Sequence, residues 1–132
     1  MKKPRTYKTL KNLLDRAFSV YIRLRDADSQ GRIHCITCGT PHYWKESDCC
    51  HYIGRQHMAT RWNEQNCAAG CRRCNRFEEG NKINWKMNEH TKNILIFAKN
   101  AVKKWVNFEL EILIEDYKKR AIEIAKMKGI VL

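Results

Sequence analysis

No run of apolar residues in this chain is long enough to cross a bilayer. The basic start, Met1-Lys2-Lys3-Pro4-Arg5, leads into an amphipathic segment rather than the apolar stretch of a signal peptide. Membrane insertion and secretion are therefore not expected. Internal repeats and low-complexity segments are also absent, which favours one domain over residues 1–132. Acidic residues are in short supply, 14 against 26 Lys plus Arg, for a formal net charge of +12. An excess of this size points to a polyanionic partner, nucleic acid being the usual one. A disulfide framework is missing too. The seven cysteines are odd in number and clustered by short spacings, which points to metal and to a reducing cytoplasm.

The cysteines that matter most are Cys35-Ile36-Thr37-Cys38 and Cys71-Arg72-Arg73-Cys74. Two Cys-x-x-Cys turns deliver four soft ligands, the set for a closed tetrahedral Zn²⁺ site that leaves no position open for catalysis. Gly39 after the second ligand suits a knuckle whose amides point at the thiolates. Cys49, Cys50 and Cys67 are left over and read as small buried hydrophobes, although Cys50 beside His51 has a metal within reach. The loop between the pairs, residues 39–70, is longer than a plain zinc ribbon needs. It holds Asp48, His51 and Asn66, and Asn75 follows the last cysteine.

Periodicity places these residues. Leu10, Leu13, Leu14, Ala17, Phe18, Tyr21, Ile22 and Leu24 make a helical stripe over residues 7–26, stopped by the turn formers of Asp26 to Gly31. Its polar side carries Lys8, Lys11, Arg16, Arg23 and Arg25. Residues 32–36 read as a short strand entering the first knuckle, and Pro41 to Asp48 as a polar loop. Cys50 to Ile53 and Asn66 to Ala69 form the two strands of a hairpin. A short helix runs from Cys71 past Phe77 and stops near Gly80-Asn81. After Trp85, two helical stripes follow: Ile94, Phe97, Ala98, Ala101, Val102 and Trp105, then Leu110, Leu113, Ile114, Tyr117, Ala121, Ile124 and Ala125. Asn107 is a candidate N-cap between them and Gly129 a candidate terminator. The expected fold is mainly α with a small β-hairpin. A zinc-braced ββα core at 32–85 lies between the 7–26 helix and C-terminal helices at 86–129.

The enclosed residues suit phosphodiester hydrolysis, which needs an activated water, a cation on the phosphoryl oxygens and fixed geometry. His51, with an ordinary imidazole value of about 6.5, can take the water's proton. The Asn66 carbonyl across the hairpin can hold one ring nitrogen and leave the other as base. Asp48 and Asn75 offer hard oxygens that suit Mg²⁺. Arg55, His57 and Arg61 lie between His51 and Asn66, where phosphate contacts and a solvated loop are equally natural; His57 is also open to a metal role. Arg72, Arg73 and Arg76 beside the second knuckle are the better phosphate contacts. Trp62 reads as core.

This constellation resembles the HNH (ββα-metal, His-Me finger) nuclease motif: a His, an Asn five residues before a Cys-x-x-Cys, and a ligand directly after it. It is closer still to the bacteriophage lambda NinG (Rap) family. The Asp-x-x-His-Tyr segment of that family is similar to Asp48 to Tyr52, its Arg-aromatic-Asn-Glu-x-Asn to Arg61 to Asn66, and its Cys-x-x-Cys-Asn to Cys71 to Asn75, with Gly80-Asn81 following. The resemblance implies a structure-selective endonuclease of phage recombination, working in the bacterial host cytoplasm on Holliday junctions and D-loops. It implies His51 as general base, Asn66 orienting it, Asp48 and Asn75 holding catalytic Mg²⁺ or Mn²⁺, and a 5′-phosphate product. Many HNH enzymes place the second metal ligand immediately before the His, where this chain has Cys50; the NinG pattern puts an Asp three residues earlier. Junction resolution takes two cuts, which makes a homodimer attractive, and the C-terminal stripe, if broader than the core requires, would be its natural interface. Two other readings compete: a non-catalytic zinc module that only binds DNA, and an HNH nicking or homing enzyme that reads duplex sequence.

Overall fold

A computed structural model describes residues 3–77 and 82–132. Its first helix, α1 (Tyr7–Asp26), has the predicted bounds. Thr6 caps it, its hydroxyl accepting from the Thr9 N–H at 3.2 Å. The stripe buries Leu10, Leu14, Phe18 and Ile22 against the last helix, α4 (Asn107–Lys128), which contributes Leu110, Ile114, Tyr117, Ala121 and Ala125. Phe18 and Tyr117 meet edge to face, 5.0 Å between centroids. The stripe from Leu110 to Ala125 packs on the chain's own core, while Phe108, Ile112 and Ile122 of α4 stay exposed.

The two helices are also tied at their ends. Lys128 Nζ donates to the carbonyls of Leu24, Arg25 and Ala27 at 2.9, 2.7 and 2.6 Å. An ammonium there completes the C-terminal carbonyls of α1, which have no partner inside the helix. Gly129 ends α4 at φ 72°, the left-handed conformation that favours glycine. At the other end the cap is not Asn107: it is the first helical residue, and the Val106 N–H donates to Glu109 Oε1 at 3.1 Å.

Two hairpins lie between these helices, where one was expected. Strands β1 (Arg32–His34) and β2 (Pro41–Tyr43) pair antiparallel, so the segment read as a polar loop is half strand. Three residues are too few for alternation to declare a strand, which is why Pro41 to Tyr43 escaped notice. A 3₁₀ turn over Trp44–Glu46 buries Trp44 and leads to β3 (Ser47–His51). That strand pairs with β4 (Cys67–Cys71) in the register His51 to Cys67 and Ser47 to Cys71. The end of α1 clamps β4: Arg25 donates to the Cys67 carbonyl at 2.7 Å, and Asp26 Oδ2 accepts from the Ala69 N–H at 2.8 Å.

Helix α2 (Arg72–Phe77) starts directly from β4. Its predicted stop at Gly80-Asn81 lies outside the described residues. Helix α3 (Glu89–Ala98), capped by Asn88, buries only Leu95. The expected face from Ile94 to Trp105 does not exist as one surface. The helix ends at Ala98, Phe97 and Val102 are 87% and 90% exposed, and Trp105 turns inward to meet Trp62 edge-on at 5.5 Å. Among the described residues no helix is long and apolar enough to cross a membrane.

Candidate functional site

The first knuckle follows β1 and the second spans the junction of β4 with α2. The sulfurs of Cys35, Cys38, Cys71 and Cys74 lie within 4.8 Å of one another. A tetrahedral ion with metal–sulfur bonds of about 2.3 Å sets sulfurs about 3.8 Å apart; Cys38 and Cys71 stand at 3.9 Å. The Cys74 N–H donates to Cys71 Sγ at 3.4 Å, and the Ile36 N–H to the Ala69 carbonyl at 3.1 Å, fastening the first knuckle to β4. The Thr40 hydroxyl, 3.3 Å from Cys38, and the Thr40 backbone hold the Cys38 thiol down at about 6. These four residues are able to hold a metal ion. Cys50 is excluded from the cleft by its own packing: its sulfur lies 2.6 Å from where a Cβ on Gly70 would sit. Glycine at position 70, diagonal to Cys50 across the hairpin, leaves room for that sulfur.

Asp48, His51 and Asn75 open onto one cleft of about 720 Å³. Arg23, Lys45, Arg55, Arg72, Arg76 and Lys82 line it as well. Of these, Arg23 was visible in the sequence only as part of a polar helix face, and Lys45 and Lys82 carried no signal. Arg23 is fixed in place, donating to Ser19 and to the Trp44 carbonyl at 3.1 Å from Nη1.

His51 sits at the end of β3, mostly buried. Its Nε2 lies 3.1 Å from the Arg61 carbonyl, which fixes Nε2 as the N–H donor and leaves the Nδ1 lone pair free. Burial, more than any charge, lowers its pKa to about 4. The folded value lies below the unfolded one, so the folded state binds fewer protons between them. The stability gained from a neutral ring is whole above pH ~6.5 and declines by about 3 kcal/mol as pH falls to ~4. A proton-coupled NMR titration of the His51 ring and urea midpoints at pH 7 and 5 are the measurements. A ring titrating near 6.5 contradicts the burial.

The orienting partner of His51 is therefore the Arg61 backbone, not Asn66. Asn66 is fully buried, and its side chain bonds elsewhere. Oδ1 accepts from the Ile53 N–H at 2.7 Å, while Nδ2 donates to the Ile53 and Thr60 carbonyls, both at 3.0 Å. It closes the loop that presents the Arg61 carbonyl. A hydrogen bond between carboxamide and imidazole was the natural reading because both lie at strand ends; the loop's unmet backbone groups compete and win.

The remaining predicted residues divide. Arg61 is committed to the fold: it grips Asp15 through Nη2 at 2.6 Å and Nε at 3.2 Å, and Trp62 Nε1 adds a third bond to Asp15 at 2.9 Å. Arg55 reaches Asp15 only at 3.6 Å and keeps most of its side chain exposed. His57 lends its backbone to the turn with Gly54 and Thr60, and its ring is not part of the cleft lining. Arg73 faces the Cys38 side with Thr40 and His42. Asn75 Nδ2 donates to Asp48 Oδ2 at 3.0 Å, and Arg76 Nε to the same oxygen at 3.1 Å. The carboxylate is thus held by an amide and a guanidinium in this arrangement, with Arg72 at 3.9 Å. A cation at Asp48 requires Arg76, which is largely exposed, to swing away.

With this geometry in hand, comparison with known families is decisive. The family model described as Bacteriophage Lambda NinG protein matches residues 1–131. The chain belongs to this family. Membership implies a role related to phage recombination. The match extends over α3 and α4, beyond the 7–85 stretch in which the motifs lie. No curated protein and no solved structure matches the chain.

Proposed function

We propose that this NinG-family chain is a divalent-cation-dependent endonuclease that cuts branched DNA during phage recombination. The observation that carries the reading is the shared cleft: a neutral His51, Asp48 and Asn75 face one space lined by six cationic side chains. The basic lining suits a phosphate backbone. Nδ1 of His51 takes a proton from water, and the Nε2–H bond to the Arg61 carbonyl steadies the imidazolium that results. Arg55, Arg72 and Arg76 clamp the phosphates flanking the scissile bond. A hard cation such as Mg²⁺ or Mn²⁺, held by Asp48 and an Asn75 amide turned to offer its oxygen, would supply charge stabilisation on the phosphoryl group. Zn²⁺ held by Cys35, Cys38, Cys71 and Cys74 would fix α2, and so Asn75, against β3.

The test is cleavage of four-way junction, fork and linear duplex DNA of matched sequence in Mg²⁺, with zinc content measured on the same samples. Junctions are expected to be cut fastest. His51→Ala should slow cutting by about 10²–10⁴-fold, the usual worth of a general base, with zinc unchanged. A His51→Ala protein that cuts at the wild-type rate would remove His51 from the reaction, and a wild-type protein that binds junctions but cuts none would reduce the chain to a DNA-binding zinc module. Equal cutting of duplex and junction would favour sequence reading over shape.

A further inference from the structure

The face of the β3–β4 hairpin turned toward α1 carries a second group of soft ligands that the proposed reaction does not use. The sulfurs of Cys49 and Cys67 and one imidazole nitrogen of His51 lie within 4.8 Å of one another. The register explains it: His51 is directly opposite Cys67, and Cys49, two residues earlier, shares the same face. Cys67 is buried beneath, whereas Cys49 and His51 reach the cleft. An ion entering from the cleft would meet three protein ligands below and keep one position open toward solvent. Two thiolates and one imidazole form a known zinc donor set. The supporting bond is also present, since a metal-ligating His usually donates its other nitrogen to a carbonyl, here that of Arg61.

Arg25 fixes the backbone of one ligand, donating to the Cys67 carbonyl at 2.7 Å. Binding releases two thiol protons to solvent, and Zn²⁺ with two thiolates leaves no net charge in the partly buried site. Mg²⁺, which prefers oxygen donors and keeps its waters, has no claim on it.

We propose that Cys49, His51 and Cys67 form a second metal site, for zinc or another thiophilic divalent ion, whose occupation withdraws His51 from catalysis. This inhibitory role rests on the reading of His51 as general base. An ion at the site takes the same Nδ1 lone pair that accepts the water's proton, so the ring serves one or the other.

The full chain with its four-thiol cluster loaded, kept reduced with a phosphine, is titrated with ZnCl₂ at constant Mg²⁺. Bound zinc and junction cleavage are read together. A second zinc per chain should bind, and cleavage should drop about 10²-fold or more as it does so, the loss expected when a general base is occupied. Cobalt(II) in its place should give thiolate-to-metal absorption. Cys49→Ala and, separately, Cys67→Ala should bind a single zinc. Each should then be insensitive to added zinc relative to its own zinc-free rate. A single zinc in the wild type, or a second zinc that survives both substitutions, overturns the site. A second zinc that leaves cleavage untouched overturns the inhibition. Wild-type protein that cuts nothing in Mg²⁺ alone overturns the nuclease reading and the inhibitory role with it, while the zinc count still decides whether the site exists.

Discussion

Removal of the zinc proposed for the Cys35, Cys38, Cys71 and Cys74 cluster is expected to dissolve the first hairpin and release α2, while β3 and β4 stay packed on α1. Each strand of the first hairpin has three residues, and of these only Ile33 is fully buried. A two-stranded ribbon of that length has no independent stability in water. Cys35, Cys71 and Cys74 form a small buried group of their own, separate from the main core between α1 and α4. Nothing apolar of consequence would replace the ion. Structural zinc contributes about 10–16 kcal/mol of apparent binding energy at neutral pH, comparable with the whole stability of an ordinary domain of about 5–15 kcal/mol. Addition of a strong chelator, or Cys74→Ala, should therefore remove amide protection from β1, β2 and α2 and lower the thermal midpoint, with β3 and β4 protected for longer. Much of the helical circular dichroism should remain, because α1 and α4 share a core without the knuckles. Unchanged hydrogen exchange after complete zinc removal would mean that the thiols are only packed together.

Asn66→Ala should be nearly as damaging, for a different reason. The substitution leaves the Ile53 N–H and the Ile53 and Thr60 carbonyls to find other partners, in a place where Asn66 is 0% exposed. Orphaning a buried polar group costs about 1–3 kcal/mol, so three together cost on the order of 3–9 kcal/mol before relaxation or entry of water. The expected result is an unfolding free energy in urea lowered by several kcal/mol and cleavage lost together, because the same loop carries the Arg61 carbonyl to His51. Asn66→Asp separates the roles. It keeps the acceptor for the Ile53 N–H but places a carboxylate oxygen against two carbonyls, and should be as unstable as alanine. If Asn66→Ala folds normally and only loses activity, its side chain serves the reaction directly and the loop holds itself.

These expectations also mark what the residues disclosed in advance. The stripe from Leu10 to Leu24 and that from Leu110 to Ala125 were legible because a helix repeats its burial every three or four residues. The two Cys-x-x-Cys pairs announced their own convergence, since ligand chemistry constrains spacing more tightly than packing does. The face from Ile94 to Trp105 misled because apolar periodicity says that a helix could bury a surface, not that a neighbour is there to cover it. Arg61 misled for the opposite reason. A lone arginine in a polar loop looks solvated until Asp15, 46 residues away, comes to meet it. Partnerships of that range leave no mark on local pattern. The same holds for the cleft, whose cations come from α1, from the turn after β2, from the loop after β3, from α2 and from the segment beyond it.

The lysine at the end of α4 has a consequence for how the chain comes off the ribosome. Lys128 closes the carbonyl end of α1, whose Leu24 lies 104 residues earlier in the chain. Domains commonly acquire structure from the leading end as they are synthesised, but here α1 has no mate until α4 (Asn107–Lys128) has been made. All seven cysteines emerge before that moment, so metal capture can precede consolidation, and the nascent knuckles would be the earliest fixed point around which the later helix arrives.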